Sequence, residues 1–364
     1  MKKFFQYTIL ALLLITLTAC GAPEASPTPT PTPTPSATVE TTPVPSPTPS
    51  VSENLSLTTG LPTDKAYLPM AVMVENSDAA RPQTGLQQAD IIYEAMAEGG
   101  ITRFVCIFND QQPVKVGPIR STRLYYIEIQ REWDAPLVHY GGPSDADRPS
   151  YVYGEDSKDI KLRLDGLKGG YGEYFWRDQE RKAPNNVYTD LTELYTLYDY
   201  TPDERDPFSF EEGVTYNGEM VDTVGLPFLS KDATHTSFVY DPETDLFTRY
   251  QKGEPFEVRT VTQDAEGNQE TQTAPMTVKN LIVQYANTYT LKNDVKNRRM
   301  VDIVDSGEAE YFIGGKHVTG YWERTSREDS THYYLEDGKP VVLRPGNTWI
   351  ALQPNTDTVT VTYQ

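Results

Sequence analysis

The sequence predicts an α+β protein in which an N-terminal mixed α/β domain is followed by a smaller β-rich C-terminal domain. Between residues 59 and 205, apolar runs of strand length alternate with patterns of helical period. Between residues 206 and 364, short alternating runs are separated by Gly and Pro turns, without a convincing helical pattern. The part after residue 58 is long enough to form two domains with hydrophobic cores.

Residues 1–20 have the pattern of a bacterial lipoprotein signal peptide. Two lysines precede an apolar run from Phe4 to Leu17, which is shorter than the ~20 apolar residues of a membrane-spanning helix. The run leads into Leu-Thr-Ala-Cys, which resembles a lipobox ending at Cys20. We expect cleavage before Cys20 and acylation of its thiol (diacylglycerol, with palmitate chains), which anchors the chain to the extracytoplasmic face of the cell membrane. A secretory peptide with a chance cysteine is the alternative.

Residues 21–58 are rich in Pro, Thr, Ser and Ala, with PTPTPTPTPS at their centre. Such a segment has too little apolar surface to offset the entropy of ordering, so we expect an extended, solvated tether. At about 3.1 Å per residue in a polyproline conformation, it could hold the folded part roughly 100 Å from the bilayer.

The chain is strongly acidic, with a net charge of −20 that becomes −22 when Lys2 and Lys3 leave with the signal peptide. This charge disfavours nucleic acid as a partner, and it makes any cluster of arginines conspicuous. Once Cys20 is lipidated, Cys106 is the remaining cysteine, so no intrachain disulfide is expected. Cys106 lies in an apolar run and is predicted to be a core residue.

The elements predicted for residues 59–205 are buried strands, a central helix and a long excursion. Strands are predicted at 69–75, 91–95, 101–108 and 136–140, with the Gly99–Gly100 pair turning the chain between the second and third. Ser121 is predicted to cap a helix over STRLYYIEIQREW, and Asp190 a second helix over LTELYTLY. The polar, glycine-rich segment after Gly142 is predicted to pass over the mouth of the sheet.

The elements predicted for residues 206–364 are strands. TSFVYDPETDLFTRYQ, NLIVQYA, AEYFIGGKHVTGYWE, YYLEDGKPVVLRPGNTWIALQP and VTVTY all have strand patterns, with turns at Gly314–Gly315 and Asp337–Gly338. A compact sandwich or barrel is the expected arrangement.

The main candidate site combines Arg103, Arg120 and Arg123 with Asp90. Arg120 precedes Ser121, and Arg123 falls in the predicted first helical turn, where free N–H groups and the helix dipole favour an anion. Guanidinium groups also bind phosphate or carboxylate in bidentate fashion. The compensating negative group is either a ligand or an internal carboxylate from Asp90, Glu94 or Glu98.

Other candidates are less specific. Glu94 lies four residues after Asp90 on one face of a predicted strand, where both could offer oxygens to a hard cation. His139 ends an apolar strand close to the arginines, and Arg177 has aromatic neighbours that could hold it over a pocket. The sequence contains no zinc spacing, P-loop, GxGxxG or GxSxG motif, so we predict no resident metal or cofactor and assign no catalytic residue.

The order of several motifs resembles the YerB-like lipoproteins of Gram-positive bacteria. These motifs are MAVMVEN, ARPQTGLQQADIIYEAMAEGGITRF, VGPIRSTR with VHYGG, RDQERKAPNNVY, IGGKHVTGYWERTS and LRPGNTWIALQP. The resemblance covers nearly everything after the tether. It implies a lipid-anchored α/β domain with a smaller β-rich domain, in a family of unestablished activity. Asn185 stands where we expect a histidine, which argues against a catalytic histidine there.

A more distant likeness links Asp90, the glycine pair and GPIRSTR to the LytR-CpsA-Psr phosphotransferases. In those enzymes arginines bind the pyrophosphate of a polyprenyl-linked glycan, and carboxylates hold magnesium. The likeness implies that Arg103, Arg120 and Arg123 neutralise a diphosphate while Asp90 holds the metal. Ser121 replaces the acid that follows the arginine of that family's motif, which counts against the catalytic step.

Two functions follow from these patterns. The first is a cell-envelope lipoprotein that binds an anionic cell-wall ligand or an envelope protein through an arginine-lined pocket of the α/β domain. The second is a metal-assisted phosphotransferase that acts on a polyprenyl-diphosphate-linked glycan, with magnesium as its cofactor. We favour the first, because the arginines are better defined in the sequence than any nucleophile or base. A peptidoglycan hydrolase lacks a zinc or nucleophile signature.

Overall fold

The computed structural model describes residues 54–228, 236–356 and 361–364. The predicted signal peptide, Cys20 and most of the tether lie outside these residues. The described residues fall in one compact unit. Among the described residues, no helix combines the length and the apolar character needed to cross a membrane.

The strands of the first half are short and connected mainly by turns. They are β1 (Met70–Glu75), β2 (Gln83–Thr84), β3 (Ile91–Met96), β4 (Thr102–Phe108), β5 (Leu137–His139), β6 (Arg163–Asp165), β7 (Phe175–Arg177) and β8 (Val187–Thr189). The α-helices are α1 (Leu124–Glu132) and α2 (Leu191–Tyr195). Short 3-10 helices occur at Asp78–Ala80, Leu86–Gln88, Glu98–Gly100, Asp145–Asp147, Glu155–Ser157 and Gly172–Tyr174.

The second half consists of strands in the described residues. They are β9 (Ser209–Phe210), β10 (Glu219–Met220), β11 (Thr223–Gly225), β12 (Thr236–Asp241), β13 (Leu246–Gln251), β14 (Glu254–Pro255), β15 (Glu257–Gln263), β16 (Gln269–Pro275), β17 (Thr277–Val278), β18 (Asn280–Ala286), β19 (Thr288–Thr290), β20 (Arg299–Val301), β21 (Ser306–Ile313), β22 (Lys316–Glu323), β23 (His332–Leu335), β24 (Val342–Leu343), β25 (Thr348–Pro354) and β26 (Thr362–Tyr363).

One large sheet contains strands from both halves of the chain. Its order is β10-β22-β21-β18-β25-β3-β4-β1-β5-β6, with β23 paired to β22. The junction is the parallel pair of β25 and β3, whose register runs from Thr348 opposite Ile91 to Leu352 opposite Ala95. The predicted separate sandwich or barrel is therefore wrong, because strands of the second half complete the sheet of the first.

The predicted α/β character of the first half is also poorly supported. In its longest strands, β4 pairs antiparallel with both β1 and β3, so these pairings need no crossover helix. The helix predicted from Ser121 begins later, at Leu124, with Arg123 as its N-cap residue. The architecture is thus two-part and mostly β, with a minor helical contribution.

The two faces of the large sheet bury different clusters. Alternate side chains of β1 and β4 point to opposite faces, as the period of a strand requires. Val72 and Cys106 pack on the face that meets the small sheet β14-β13-β12-β11-β26, and Cys106 is fully buried as predicted. Met73 and Val105 pack on the other face with α1. The antiparallel register of β1 and β4 places the C-terminal end of β1 beside the N-terminal end of β4.

Candidate functional site

Two of the predicted site residues, Arg103 and Arg120, lie close to the end of β1, where both contact the carboxylate of Glu75. Glu75, the last residue of β1, lies directly opposite Arg103, the second residue of β4. Its Oε2 accepts a hydrogen bond from Arg120 Nε at 2.6 Å and one from Arg103 Nη2 at 3.3 Å. Its Oε1 accepts the backbone N–H groups of Asn76 and Ser77. Both carboxylate oxygens of Glu75 are therefore saturated.

Exposure distinguishes the two arginines that share Glu75. The side chain of Arg103 is 4% exposed and that of Arg120 is 28% exposed. Burial alone would raise the pKa of Glu75, but the positive charges of Arg103 and Arg120 lower it below its ordinary value. Glu75 is thus a fixed anion with two cationic neighbours, and Arg120 is the one that reaches solvent.

Arg123 is paired with Glu98, one of the internal carboxylates considered as its partner. Its Nη2 donates to Glu98 Oε2 at 2.8 Å, its Nε donates to Glu98 Oε1, and its Nη1 donates to Thr122 O at 2.7 Å. Ser121 does not cap α1, because its hydroxyl donates to Tyr140 O. The guanidinium of Arg123 is therefore satisfied within the protein, as the internal salt-bridge alternative anticipated.

Arg298, from the second half of the chain, lies close to Arg123 and is also paired with carboxylates. Arg298 Nη1 donates to Asp294 Oδ2 and Ser150 Oγ, both at 2.9 Å, and its Nη2 donates to Asp147 Oδ1 at 3.0 Å. Asp294 is only four positions from Arg298, but Asp147 is 151 positions away, so no local signal in the sequence indicates that contact. Tertiary folding alone brings them together.

A small cleft lies between these two arginines. Its volume is about 220 Å³, and it is lined by Glu98, Ser121, Arg123, Gly142, Pro143, Asp147, Lys296 and Arg298. The lining carries three cationic and two carboxylate side chains. Because Arg123 and Arg298 already bind these carboxylates, the cleft is close to electrically balanced.

Asp90 does not lie with the arginines. It precedes β3, whose Ile91 is opposite Ile107, whereas Arg103 is opposite Ala95 at the other end of the same strand pair. Its Oδ2 accepts the N–H groups of Asn109 and Asp110, each at 3.0 Å, and the Thr58 hydroxyl at 2.7 Å. Burial and the nearby Asp110 raise the pKa of Asp90 to about 7. The predicted grouping of Asp90 with the arginines is wrong, because they occupy opposite ends of one strand pair.

Glu94 is buried and paired with an arginine of the second half. Its Oε1 lies 3.1 Å from Arg249 Nη2, and neither side chain is exposed. Thr102 and Asn76 also donate to Glu94. Burial lowers the pKa of Arg249 to about 10, and its guanidinium carbon lies 3.9 Å from the centre of the Phe256 ring. Glu94 therefore does not share a solvent-facing site with Asp90, as the predicted metal pair required.

His139 and Arg177 lie around the segment that follows β5. His139 is completely buried, its Nδ1 lies 2.8 Å from Gly141 O, and burial lowers its pKa to about 4, which keeps it neutral near pH 7. Arg177 is exposed, donates to Asn186 Oδ1 at 2.7 Å and lies over the Tyr140 ring. The backbone of Tyr140 bonds to Arg120 O. Arg177 thus flanks the Arg120 region, while His139 lies beneath the surface.

The described residues contain no group of three or more His, Cys, Asp or Glu side chains arranged to hold a metal ion. Most of the predicted site residues instead form ion pairs between arginines and carboxylates. The only early indication of Glu75 was its position, an acidic residue ending a continuous apolar strand. Arg249 and Arg298 come from the second half, in which no motif indicated a site.

Known proteins with the same organisation match most of the chain. The model described as the N-terminal domain of a protein of unknown function, DUF3048, matches residues 58–203, and the model of the DUF3048 C-terminal domain matches residues 224–350. A Bacillus subtilis (strain 168) protein, YerB, which is named as a lipoprotein, is 29% identical over 318 residues, covering 83% of this chain and 87% of the relative.

A solved structure confirms the fold. The crystal structure of the YerB protein from Bacillus subtilis superposes with a TM-score of 0.67 and 27% identity, over 85% of this chain and 100% of the solved chain. The resemblance to YerB-like lipoproteins is confirmed, whereas these comparisons do not show the likeness to the LytR-CpsA-Psr phosphotransferases. With both domains present in order, the chain belongs to the DUF3048 family of YerB-like proteins.

Proposed function

We propose that this chain is a lipid-anchored envelope protein that binds an anionic group of a cell-wall polymer at Arg120. Acylated Cys20 would hold it on the extracytoplasmic face of the membrane, and the tether would set its reach. The lipobox-like sequence and a relative named as a lipoprotein support the anchoring. The arrangement of charges at the end of β1 supports the binding.

The observation that carries the proposal is the sharing of Glu75 by two arginines. A single carboxylate neutralises one of the two positive charges of Arg103 and Arg120. Arg103 is enclosed, so the uncompensated charge is available at Arg120, whose side chain is 28% exposed. Among the contacts of the described residues, only Nε of the Arg120 guanidinium donates to a protein group. The terminal nitrogens are left to meet a ligand.

The excess positive charge at Arg103 and Arg120 is not shared by the neighbouring arginines. Arg123 and Arg298 together have three carboxylates, from Glu98, Asp147 and Asp294. Among the described residues, Arg103 and Arg120 have one hydrogen-bonded carboxylate between them, Glu75, although the charge of Glu98 also acts on Arg103. In a mature chain of net charge −22, an exposed arginine without a full counter-charge attracts an anion where the surrounding surface repels it.

The chemistry of the terminal guanidinium nitrogens indicates the ligand class. Two parallel N–H donors fit two oxygens of a phosphate or carboxylate group. Arg177, exposed on the other side of Tyr140, could contact a second group of a repeating polymer. A phosphate-bearing wall polymer therefore fits better than a single small anion.

No geometric observation favours the phosphotransferase alternative. That reaction needs a metal-holding carboxylate beside the arginine-bound diphosphate. Asp90 lies at the opposite end of β3 and is occupied by Thr58 and two backbone N–H groups.

The test is a titration of the full chain, carrying Cys20→Ser, with polyglycerol phosphate and with inorganic phosphate at low ionic strength. We expect Arg120→Gln to weaken binding of the polymer by about tenfold or more, since a charge-assisted hydrogen bond contributes ~1.5–3 kcal/mol. Binding of the native chain should also weaken as salt is added.

Arg259→Gln is the matched control. Arg259 is also paired with one glutamate, Glu180, and its side chain is 32% exposed against 28% for Arg120. The control should bind the polymer as the native chain does. Equal affinities of Arg120→Gln and Arg259→Gln, or no binding by the native chain at millimolar phosphate, would overturn the proposal.

A further inference from the structure

A second and larger pocket lies beside the turn between β3 and β4. Its volume is about 430 Å³, within the range of small-molecule sites. Both halves of the chain form its polar wall, with Asn76, Asp78, Arg81 and Thr102 from the first and Gln251 and Lys252 from the second. Asn76 also donates its backbone N–H to Glu75, but neither Arg120 nor Arg103 lines this pocket, so the pocket is a separate feature.

Two cations in this wall share one carboxylate. Asp78 Oδ1 accepts a hydrogen bond from Arg81 Nη1 at 2.7 Å, and Asp78 Oδ2 accepts one from Lys252 Nζ at 2.9 Å. Asp78 is itself largely exposed, with 71% of its side chain accessible. A carboxylate from outside could therefore take its place between Arg81 and Lys252 without a buried charge being created.

The floor of the pocket is a buried hydrogen-bond network that fixes its polar groups. Arg249 Nη2 donates both to Glu94 and to Gln251 Oε1, the latter at 3.1 Å, and Thr236 Oγ1 also donates to Gln251 Oε1. Both acceptor positions of the Gln251 amide are thus used, so its NH₂ group is the part left for a ligand. Asn76 and Thr102 are fixed by Glu94 in the same way.

Lys252 occupies a backbone position that lysine rarely adopts. It forms the two-residue turn between β13 and β14 with Gly253, and their φ angles are 56° and 81°. Such turns favour Asn or Gly in the first place, because the left-handed conformation costs other residues about 1 kcal/mol or more. A lysine that breaks this rule at the mouth of a pocket indicates a role for its ammonium group.

We propose that this pocket binds a sugar acid of one or two rings. Arg81 and Lys252 supply the cations for its carboxylate, and the NH₂ group of Gln251 matches a ring hydroxyl or acetamido oxygen. The amide of Asn76 is fully used by Glu94, Thr102, Arg81 and Gln83, so its role is to hold Arg81 in place. Met96, Ile101 and Phe228 give the pocket an apolar side for the C–H face of a sugar ring. The volume accommodates a ligand of this size, and the buried floor holds the polar groups in place before it arrives.

The experiment compares N-acetylmuramic acid with N-acetylglucosamine, which lacks its lactyl carboxylate, by saturation-transfer NMR and calorimetry on the full Cys20→Ser chain. The native chain should bind the acid and should bind the neutral sugar about tenfold more weakly. Lys252→Asn should reduce affinity for the acid to that for the neutral sugar. The thermal midpoint should not fall, because asparagine accepts the left-handed conformation.

Lys339→Asn is the control for charge, because Lys339 is an exposed lysine paired with Asp337 in a distant turn. It should bind the acid as the native chain does. Arg120→Gln should also retain sugar-acid binding, and Lys252→Asn should retain binding of polyglycerol phosphate. The two proposals are therefore tested independently of each other. The proposal is overturned if neither sugar binds at millimolar concentration, or if Lys252→Asn binds the acid with native affinity.

Discussion

At the residue scale, the distribution of carboxylates among arginines decides which charges a ligand can reach. Arg123 and Arg298 form salt bridges with Glu98, Asp147 and Asp294, so their guanidinium groups link segments within the protein. Arg120 shares its partner with a buried neighbour and remains partly exposed. Neighbouring arginines in the sequence therefore have different roles, which residue type alone does not reveal.

Asp90 provides a prediction about pH. Its pKa of about 7 in the folded chain is higher than the value of about 4 expected when the chain is unfolded, because it is buried and close to Asp110. Between those values the folded state holds a proton that the unfolded state has lost, so this group's contribution to stability falls as pH rises and levels off above about 7. Asp90→Asn should remove this decline, which amounts to roughly 2–3 kcal/mol between pH 5 and 8.

Urea unfolding of native and variant chains at both pH values measures the effect. Asp264→Asn is the comparison variant: Asp264 is exposed, and hydrogen bonds from Asn268 lower its pKa, so it stays ionised throughout this range. It should show the native pH dependence. If Asp90→Asn and Asp264→Asn lose equal stability between the two pH values, burial does not control the protonation of Asp90.

At the element scale, the pairing of strands creates the candidate sites. The antiparallel register of β1 and β4 sets Glu75 opposite Arg103. The β13–β14 turn, which belongs to a different sheet, carries Lys252 to Asp78. Rigid strand ends hold these side chains, while the segments between them supply Arg120 and Arg298. A change in strand pairing would therefore alter the geometry of both candidate sites.

Gly320 in β22 tests how tightly the edge of the large sheet is packed. A Cβ atom at this position would lie 1.9 Å from Tyr334 O, a backbone atom of β23. Gly320→Ala should therefore separate β23 from β22 and reduce the free energy of unfolding by about 1–3 kcal/mol. Thermal or urea unfolding measures the loss.

Gly172→Ala is the matched substitution. Gly172 is exposed, and the nearest atom to an added Cβ is Gly166 O at 3.4 Å, an ordinary contact. We expect a change within about 0.5 kcal/mol for this variant. A Gly320→Ala chain as stable as Gly172→Ala would show that β22 and β23 separate without cost.

At the scale of the whole molecule, the two family domains are joined by a shared sheet and by buried ion pairs. β25 pairs with β3 over five register positions, and Arg249 of the second half neutralises Glu94 of the first without solvent contact. Trp349 of β25 packs edge-on against Phe104 of β4. These contacts couple the halves energetically.

Neither half should fold alone. Residues 54–205 would expose β3 as an unpaired edge and leave Glu94 buried without a cation, and residues 206–364 would leave Arg249 without its carboxylate. We expect each fragment to show no cooperative thermal transition and little dispersion of amide NMR signals. The two fragments mixed should regain both. A cooperative transition in either isolated fragment would contradict the coupling.

The sequence by itself determined the family, the positions of several longer strands along the chain, the largely helix-free second half and the core position of Cys106. These features follow from apolar periodicity, turn residues and motif order, all of which are local properties of the chain. It also grouped Arg103 and Arg120 in one candidate site, together with Arg123 and Asp90, which the structure pairs elsewhere.

Only the tertiary structure decided which charges neutralise one another. Asp90 and Arg103 are thirteen positions apart in the sequence, yet they lie at opposite ends of a strand pair. Glu94 and Arg249 are 155 positions apart and in contact. The union of both halves in one sheet was likewise hidden, because the pairing of β25 with β3 depends on hydrogen bonds between backbones distant in sequence. Charge partners and strand partners are non-local properties, and here they define both candidate sites.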